Sequence, residues 1–268
     1  MKVAFALLTT APQPETVLFL ERLAQFNEKI DIWVVGENVA ENKINGVSYI
    51  APTDLTCWKS GFIGSNLSGF ETHIEKPVIS WDRFMYSFCC EPKLKDYGFV
   101  WAFEEDCLFE SEKLITDLTE AYGEYDLVCA NNFPAEVGRG DWHWPSVQSA
   151  INPPYFASMV CAVGISRRLL AEISDFVSTN GRLTHHEALL PTIAAQKGLK
   201  VINPLEFKTV VWLGEWNEKH MAVLPNNIFH PVKRISDHQS MREKASALRQ
   251  SEACPTVEIL PEFVKECI

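Results

Sequence analysis

A single α/β domain with a mainly parallel, twisted sheet and helices on both faces is what this 268-residue sequence predicts. Two observations lead to it. The chain opens on a strand–helix–strand pattern, Val3 to Leu8, Glu15 to Asn27 and Ile30 to Val35, which is how a parallel sheet begins. Later, Gly98-Phe99-Val100-Trp101-Ala102-Phe103-Glu104-Glu105-Asp106-Cys107-Leu108-Phe109 is an apolar run without helical spacing, interrupted by three acids. Such a run suits a strand buried on both faces.

The elements follow in order. Met1 to Thr10 has the outline of a short signal core, but its apolar run of about six residues sits at the low edge for one, so a first strand is the better reading. Pro12 and Pro14 end that strand, and Val17, Leu18, Leu20, Leu23 and Phe26 then recur at helical spacing. Gly36-Glu37-Asn38 turns the chain after the second strand, and Val47 to Ile50 is a short third one. There is no G-x-G-x-x-G, which argues against a dinucleotide fold of the usual kind. Thr53 to Lys76, punctuated by Ser60, Gly61, Gly64, Ser65, Asn66 and Gly69, reads as a long functional loop or lid. Trp81 to Cys90 reads as a helix leading into the central strand, and Ser111 to Tyr122 as another with Leu114, Ile115, Leu118 and Ala121 on one face. Asp126 to Ala130 is a buried strand. Phe133 to Phe156, rich in Gly, Pro and Trp, reads as a second irregular stretch. Ser158 to Ile165 is a strand, Ser166 caps a helix that Gly181 ends, Thr184 opens a helix running to Lys197, and Val201 to Asn203 is a last short strand. Residues 1–240 are expected to form the domain, and 241–268, polar and broken by Pro255 and Pro261, a tail packed on its surface.

Composition excludes some partners. A net charge of -11 and a pI of about 5.2 argue against a nucleic acid, whose phosphates need a basic surface. A small phosphorylated ligand held through a metal stays open. No apolar stretch approaches the roughly 20 residues of a membrane span. The eight cysteines show no C-x-x-C spacing and read as reduced core thiols of a cytoplasmic protein.

Glu104, Glu105 and Asp106 carry the chemistry. Three carboxylates at the end of a buried strand are costly without a positive partner. The carboxyl ends of strands in open α/β sheets are where ligands bind. A hard cation such as Mg2+, held by one or two carboxylates and by phosphate oxygens, satisfies both facts. The plainer alternative is that the acids cap the next helix near Ser111 and face water.

The order of motifs is informative: Glu104-Glu105-Asp106 after a hydrophobic strand, an irregular Trp-rich segment, His185-His186-Glu187 at a helix start, and Phe229-His230-Pro231-Val232-Lys233 late in the chain. Over roughly residues 1–235 the chain resembles the nucleotide-sugar-dependent glycosyltransferases of the GT-A fold. The resemblance implies transfer of a monosaccharide from a nucleotide diphosphate sugar, UDP-linked by expectation, to a sugar hydroxyl of a glycan. It also implies Mn2+ or Mg2+ bound by Asp106 and Glu104, with His230 completing the shell and Lys233 on the diphosphate. The usual first Asp of the acidic motif is Glu104 here, which leaves a metal-independent reaction open. The family's donor positions fall on Thr9, Thr10, Glu37, Arg83 and Glu105.

Inverting transfer needs a carboxylate to take the acceptor proton. Glu187 is the candidate, at a helix start whose dipole favours its ionised form. Asp141 and Glu136 compete for the role. Trp142 and Trp144 are candidate sugar platforms, and Trp212 and Trp216 a candidate lid or acceptor wall. His185 and His186, about 100° apart on a helix, can present only one ring to the site, and His186 is assigned to substrate. A zinc site built on that pair lacks a spaced third ligand. Two other readings remain. One is a sugar-phosphate nucleotidyltransferase, although Thr9-Thr10-Ala11-Pro12-Gln13-Pro14 lacks that class's glycine-rich basic loop. The other is a non-catalytic carbohydrate-binding protein.

Overall fold

Val100 and Ala102 point to one face of the sheet, Phe99, Trp101 and Phe103 to the other, and all five are fully buried. That alternation gives the protein two apolar layers that need covering. The computed structural model describes residues 1–66, 77–135, 143–251 and 254–265. In its first half lie β1 (Val3–Thr9), α1 (Pro14–Phe26), β2 (Ile30–Gly36), β3 (Lys43–Ile44), β4 (Val47–Ile50), α2 (Asp54–Ser60), α3 (Ser80–Cys90) and β5 (Phe99–Glu104). The second half holds α4 (Leu114–Tyr122), β6 (Leu127–Pro134), α5 (Trp144–Gln148), β7 (Phe156–Ser166), α6 (Arg167–Asn180), α7 (His186–Gln196) and β8 (Val201–Ile202). It ends with α8 (Glu218–Val223), α9 (His238–Arg249) and α10 (Glu262–Lys265).

The strands make one sheet in the order β3-β4-β2-β1-β5-β7-β6-β8. β4, β2, β1 and β5 run parallel, and β7 runs antiparallel between β5 and β6. On one face, Trp81, Phe84 and Phe88 of α3 pack with Leu169 and Ile173 of α6 and Leu189 of α7. On the other, Phe19, Leu20 and Leu23 of α1 join Ile115 and Leu118 of α4. The predicted α/β class, mostly parallel and covered on both faces, is the observed one. The carboxyl end of β5 sits at its centre, between the β1–α1 turn and β7.

Four local readings change. Thr53 to Ser60 is not loop: Thr53 accepts the Thr56 N–H at 3.2 Å, and Gly61, at φ 77°, ends the helix α2. Of the residues read as loop markers, Ser60 is its last residue and Gly61 its cap. Residues 67–76 of that stretch lie outside the described residues. Trp144–Gln148 is a short helix within the second irregular stretch. α4 starts at Leu114, because Ser111 holds a turn, accepting the Lys113 N–H on its hydroxyl and the Leu114 N–H on its carbonyl. The stretch expected as a surface tail begins inside α9, where Met241 and Ala245 are buried in a third apolar cluster with Trp216, Phe229, Leu260 and Val264.

Candidate active site

The late segment reaches the acids by backbone pairing. Leu108 and Phe229 exchange both backbone hydrogen bonds, at 2.9 and 2.8 Å, and the Val232 N–H donates to the Asp106 carbonyl at 2.9 Å. This lays Phe229 to Lys233 alongside Asp106 to Leu108, so His230 and Lys233 meet acids more than a hundred residues earlier. The three acids then diverge. Glu104 Oε1 accepts the Trp81 indole N–H at 2.7 Å. Glu105 accepts the Thr9 hydroxyl at 2.5 Å, and the Gln13 N–H and Thr16 hydroxyl at 2.8 Å each. Asp106 Oδ2 accepts from Lys233 Nζ at 2.5 Å.

His230 completes the group. Its Nδ1 lies 2.9 Å from the Val211 carbonyl, which can only accept, so Nδ1 carries the hydrogen. Nε2 faces the acids, 3.5 Å from Asp106 Oδ1 and 3.8 Å from Glu104 Oε2, and in the neutral ring it carries the lone pair. A histidine donating one N–H to a carbonyl while aiming the other nitrogen at carboxylates is arranged as metal ligands are. Cys161, next to Ala162, which pairs with Phe103 across the β5–β7 ladder, is the third member of a group whose ligand atoms fall within 4.8 Å of one another, Glu104, Cys161 and His230. Burial, and after it the Asp106 charge, raises the Glu104 pKa against the opposing hydrogen bond from Trp81. For Lys233 burial acts against the charge, yet the Asp106 carboxylate outweighs it and the pKa is raised. These donors fit a divalent cation.

Two cavities flank this centre. One, about 520 Å³, is lined by Thr9, Thr10, Glu37, Trp81, Asp106 and Lys233. The other, about 640 Å³ and mostly apolar, is lined among others by Phe133, Trp144, Met159, Glu187, Val211 and Trp212. Glu187 lies in the first turn of α7 and is 4% exposed. Its Oε2 is 3.3 Å from His185 Nε2. Burial raises its pKa, against the charges of His186 and His143. The expected effect of the helix dipole, favouring the ionised form, is thus outweighed by desolvation. Behind it, His185 stacks on His143 with ring centroids 3.5 Å apart, and burial pushes its pKa down to about 2. His186 stacks on Trp81 at 4.8 Å, donates Nδ1–H to the Ser65 carbonyl at 2.6 Å, and is pushed down by burial to about 4.

Among the sequence-predicted residues, the fold gathers Thr9, Thr10, Glu37, Glu104, Asp106, His230 and Lys233 at one cleft, and Glu187, Trp144 and Trp212 at the other. Arg83 is not brought to the cleft: it is buried, with its guanidinium spent on the Pro52 and Val78 carbonyls and on Asp54. Glu105 lines the first cleft but binds the β1–α1 turn, and Trp216 is buried with its indole N–H on the His230 carbonyl at 2.9 Å. His186 supports Trp81. Glu136, Asp141 and Trp142 lie outside the described residues. Two site members were not foreseen. Trp81 was read only as the start of a helix, and Cys161 only as a core thiol. A signal existed for Cys161 in its place on a strand, but its neighbour across the sheet depends on which strands pair and in what register, and β5 and β7 are more than fifty residues apart in the chain.

No family model and no curated protein matches the chain. Its structure is similar to that of 2-C-methyl-D-erythritol 4-phosphate cytidylyltransferase from Thermus thermophilus, at 15% identity and TM-score 0.41, covering 76% of this chain and 88% of that one. It is also similar to mouse xyloside xylosyltransferase 1, at 11% identity and TM-score 0.36, covering 75% and 84%. An active-site mutant of LgtC is similar at 10% identity and TM-score 0.39, covering 92% and 96%. At TM-scores below 0.5 these likenesses assign no activity to the chain.

Proposed function

We propose that the protein is a metal-assisted glycosyltransferase that moves a monosaccharide from a nucleoside diphosphate sugar to an acceptor hydroxyl. The observation that carries this reading is the convergence of Asp106, Glu104, the Nε2 of His230 and the ammonium of Lys233 at the carboxyl end of a central parallel strand. Such a group suits a diphosphate held through a divalent cation. The bound cation would supply Lewis-acid stabilisation of the departing diphosphate. The nucleoside occupies the cavity of Thr9, Thr10 and Glu37, and Lys233 neutralises a diphosphate oxygen. The acceptor occupies the apolar cavity, with its sugar against Trp212 and Trp144.

In an inverting reaction Glu187 takes the acceptor hydroxyl's proton while that oxygen attacks the sugar's anomeric carbon. The bond to the diphosphate breaks, and its electron pair leaves on the diphosphate. A carboxylate whose pKa is raised by burial is better matched to this task near neutral pH than an ordinary glutamate.

The test is a thermal-shift panel of UDP, GDP, CDP and ADP with and without Mn2+, followed by an assay for nucleoside diphosphate released from the matching sugar nucleotide. A Mn2+-dependent shift for one nucleotide, lost in Asp106→Asn, is expected. Pyrophosphate release from a nucleoside triphosphate and a sugar phosphate would favour the nucleotidyltransferase instead. Glycan binding without any nucleotide shift would favour a binding protein.

A further inference from the structure

The cation site contains an atom that a hard-metal site does not need. Cys161 is 8% exposed, and its Sγ lies within 4.8 Å of a Glu104 carboxylate oxygen and of a His230 ring nitrogen. It is held there from two sides: by the β5–β7 register, and by the Cys107 thiol, which donates to the Cys161 carbonyl at 3.2 Å. The neighbouring donors are oriented as well. Trp81 occupies Glu104 Oε1 and leaves Oε2 toward His230, while Val211 fixes the His230 tautomer. Two nitrogen or oxygen ligands about 2.1 Å from a tetrahedral ion lie about 3.4 Å apart. His230 Nε2 is 3.8 Å from Glu104 Oε2 and 3.5 Å from Asp106 Oδ1, close to that spacing.

We infer that Cys161 is a metal ligand beside Glu104 and His230, and that the site takes a thiophilic divalent cation of the zinc and cobalt class in preference to Mg2+. On binding, the S–H bond breaks, its electron pair stays on sulfur and forms the metal–sulfur bond, and the proton passes to solvent. Asp106 Oδ1 or a diphosphate oxygen takes the fourth position. A sulfur, nitrogen and oxygen set suits Zn2+ and Co2+, whereas Mg2+ requires oxygen donors in near-octahedral geometry. The inference rests on the cation-binding part of the proposed function and is independent of the transfer reaction.

Co2+ titration of the full chain tests it. A near-ultraviolet thiolate-to-cobalt charge-transfer band is expected to accompany the visible d–d bands and to persist under excess Mg2+. Cys161→Ser should remove it and weaken Co2+ by more than about tenfold, since loss of an outer-shell partner alone costs that much. Cys254→Ser, at an exposed thiol, should keep the band. To avoid dependence on a variant's folding, X-ray absorption of the zinc-loaded unmodified chain should show one sulfur scatterer. Visible bands without the charge-transfer band, a band that survives in Cys161→Ser, or a shell of only oxygen and nitrogen would overturn the thiolate while leaving a cation site. No binding of Co2+ or Zn2+ would overturn both.

Discussion

Trp81 donates its indole N–H to Glu104 across 2.7 Å, so helix α3 sets the orientation of the carboxylate that ends β5. Trp81→Phe keeps a ring against His186 and removes the donor. The cation-dependent nucleotide affinity should fall roughly 10- to 100-fold, as for other outer-shell partners of metal ligands. Calorimetric titration of the nucleotide with and without the ion would measure it. Equal affinities in the two proteins would remove Trp81 from the site.

Glu187→Gln should leave nucleotide binding intact and lower turnover about 10²- to 10⁴-fold, the usual range for a lost general base. Because burial raises the Glu187 pKa, the acid limb of the wild-type rate profile should lie above the ordinary glutamate range, with activity falling as pH drops through it. Stability carries the opposite sign. Between the unfolded value and the raised folded value the folded chain holds the extra proton, so stability declines as pH rises across that window. The Gln variant should lack that decline and melt higher than wild type at neutral pH. Turnover unchanged in Glu187→Gln would transfer the role elsewhere.

Trp212 is 58% exposed at the wall of the apolar cavity. Trp212→Ala should leave the melting temperature unchanged and raise the acceptor KM about fivefold, from ~1 kcal/mol of lost ring contact. The donor KM should not move. An effect on donor rather than acceptor would reverse the assignment of the two cavities.

Asp126 lies at the start of β6, away from either cavity, and is 1% exposed. It accepts from the Ser166 hydroxyl at 2.6 Å, the Lys200 N–H at 2.9 Å and Arg168 at 2.7 and 2.9 Å. Arg168 is mostly exposed and contributes little. Losing the other two bonds to a buried carboxylate should cost roughly 3 kcal/mol in Asp126→Ala. Denaturant unfolding would show it, and nucleotide binding measured on the folded fraction should be unaffected.

The sheet was legible because its strands carry continuous apolar runs, and the helices α1 and α4 because their apolar stripes are regular. α2 was hidden since its capping residues, Thr53 and Gly61, are also loop residues. The acids were legible as a group of charges at a strand end, but not their separate tasks. Only the folded β1–α1 turn shows that Glu105 serves Thr9, Gln13 and Thr16. Arg83 was misplaced because a helix position alone does not tell whether a guanidinium faces a cleft or, as here, the Pro52 and Val78 carbonyls. The position of Glu187 at a helix start was legible, while the direction of its pKa shift needed its burial.

The divergence of the three acids links distant parts of the chain. Gln13 gives its amide to Glu105, and Val232 gives its amide to the carbonyl of Asp106. Any ligand that steadies these acids therefore steadies two amides drawn from opposite ends of the polypeptide. Hydrogen exchange at both should slow together when the cleft fills. The acids thus report occupancy as a coordinated quieting of the N-terminal turn and the C-terminal segment, neither of which needs to contact the ligand through those amides.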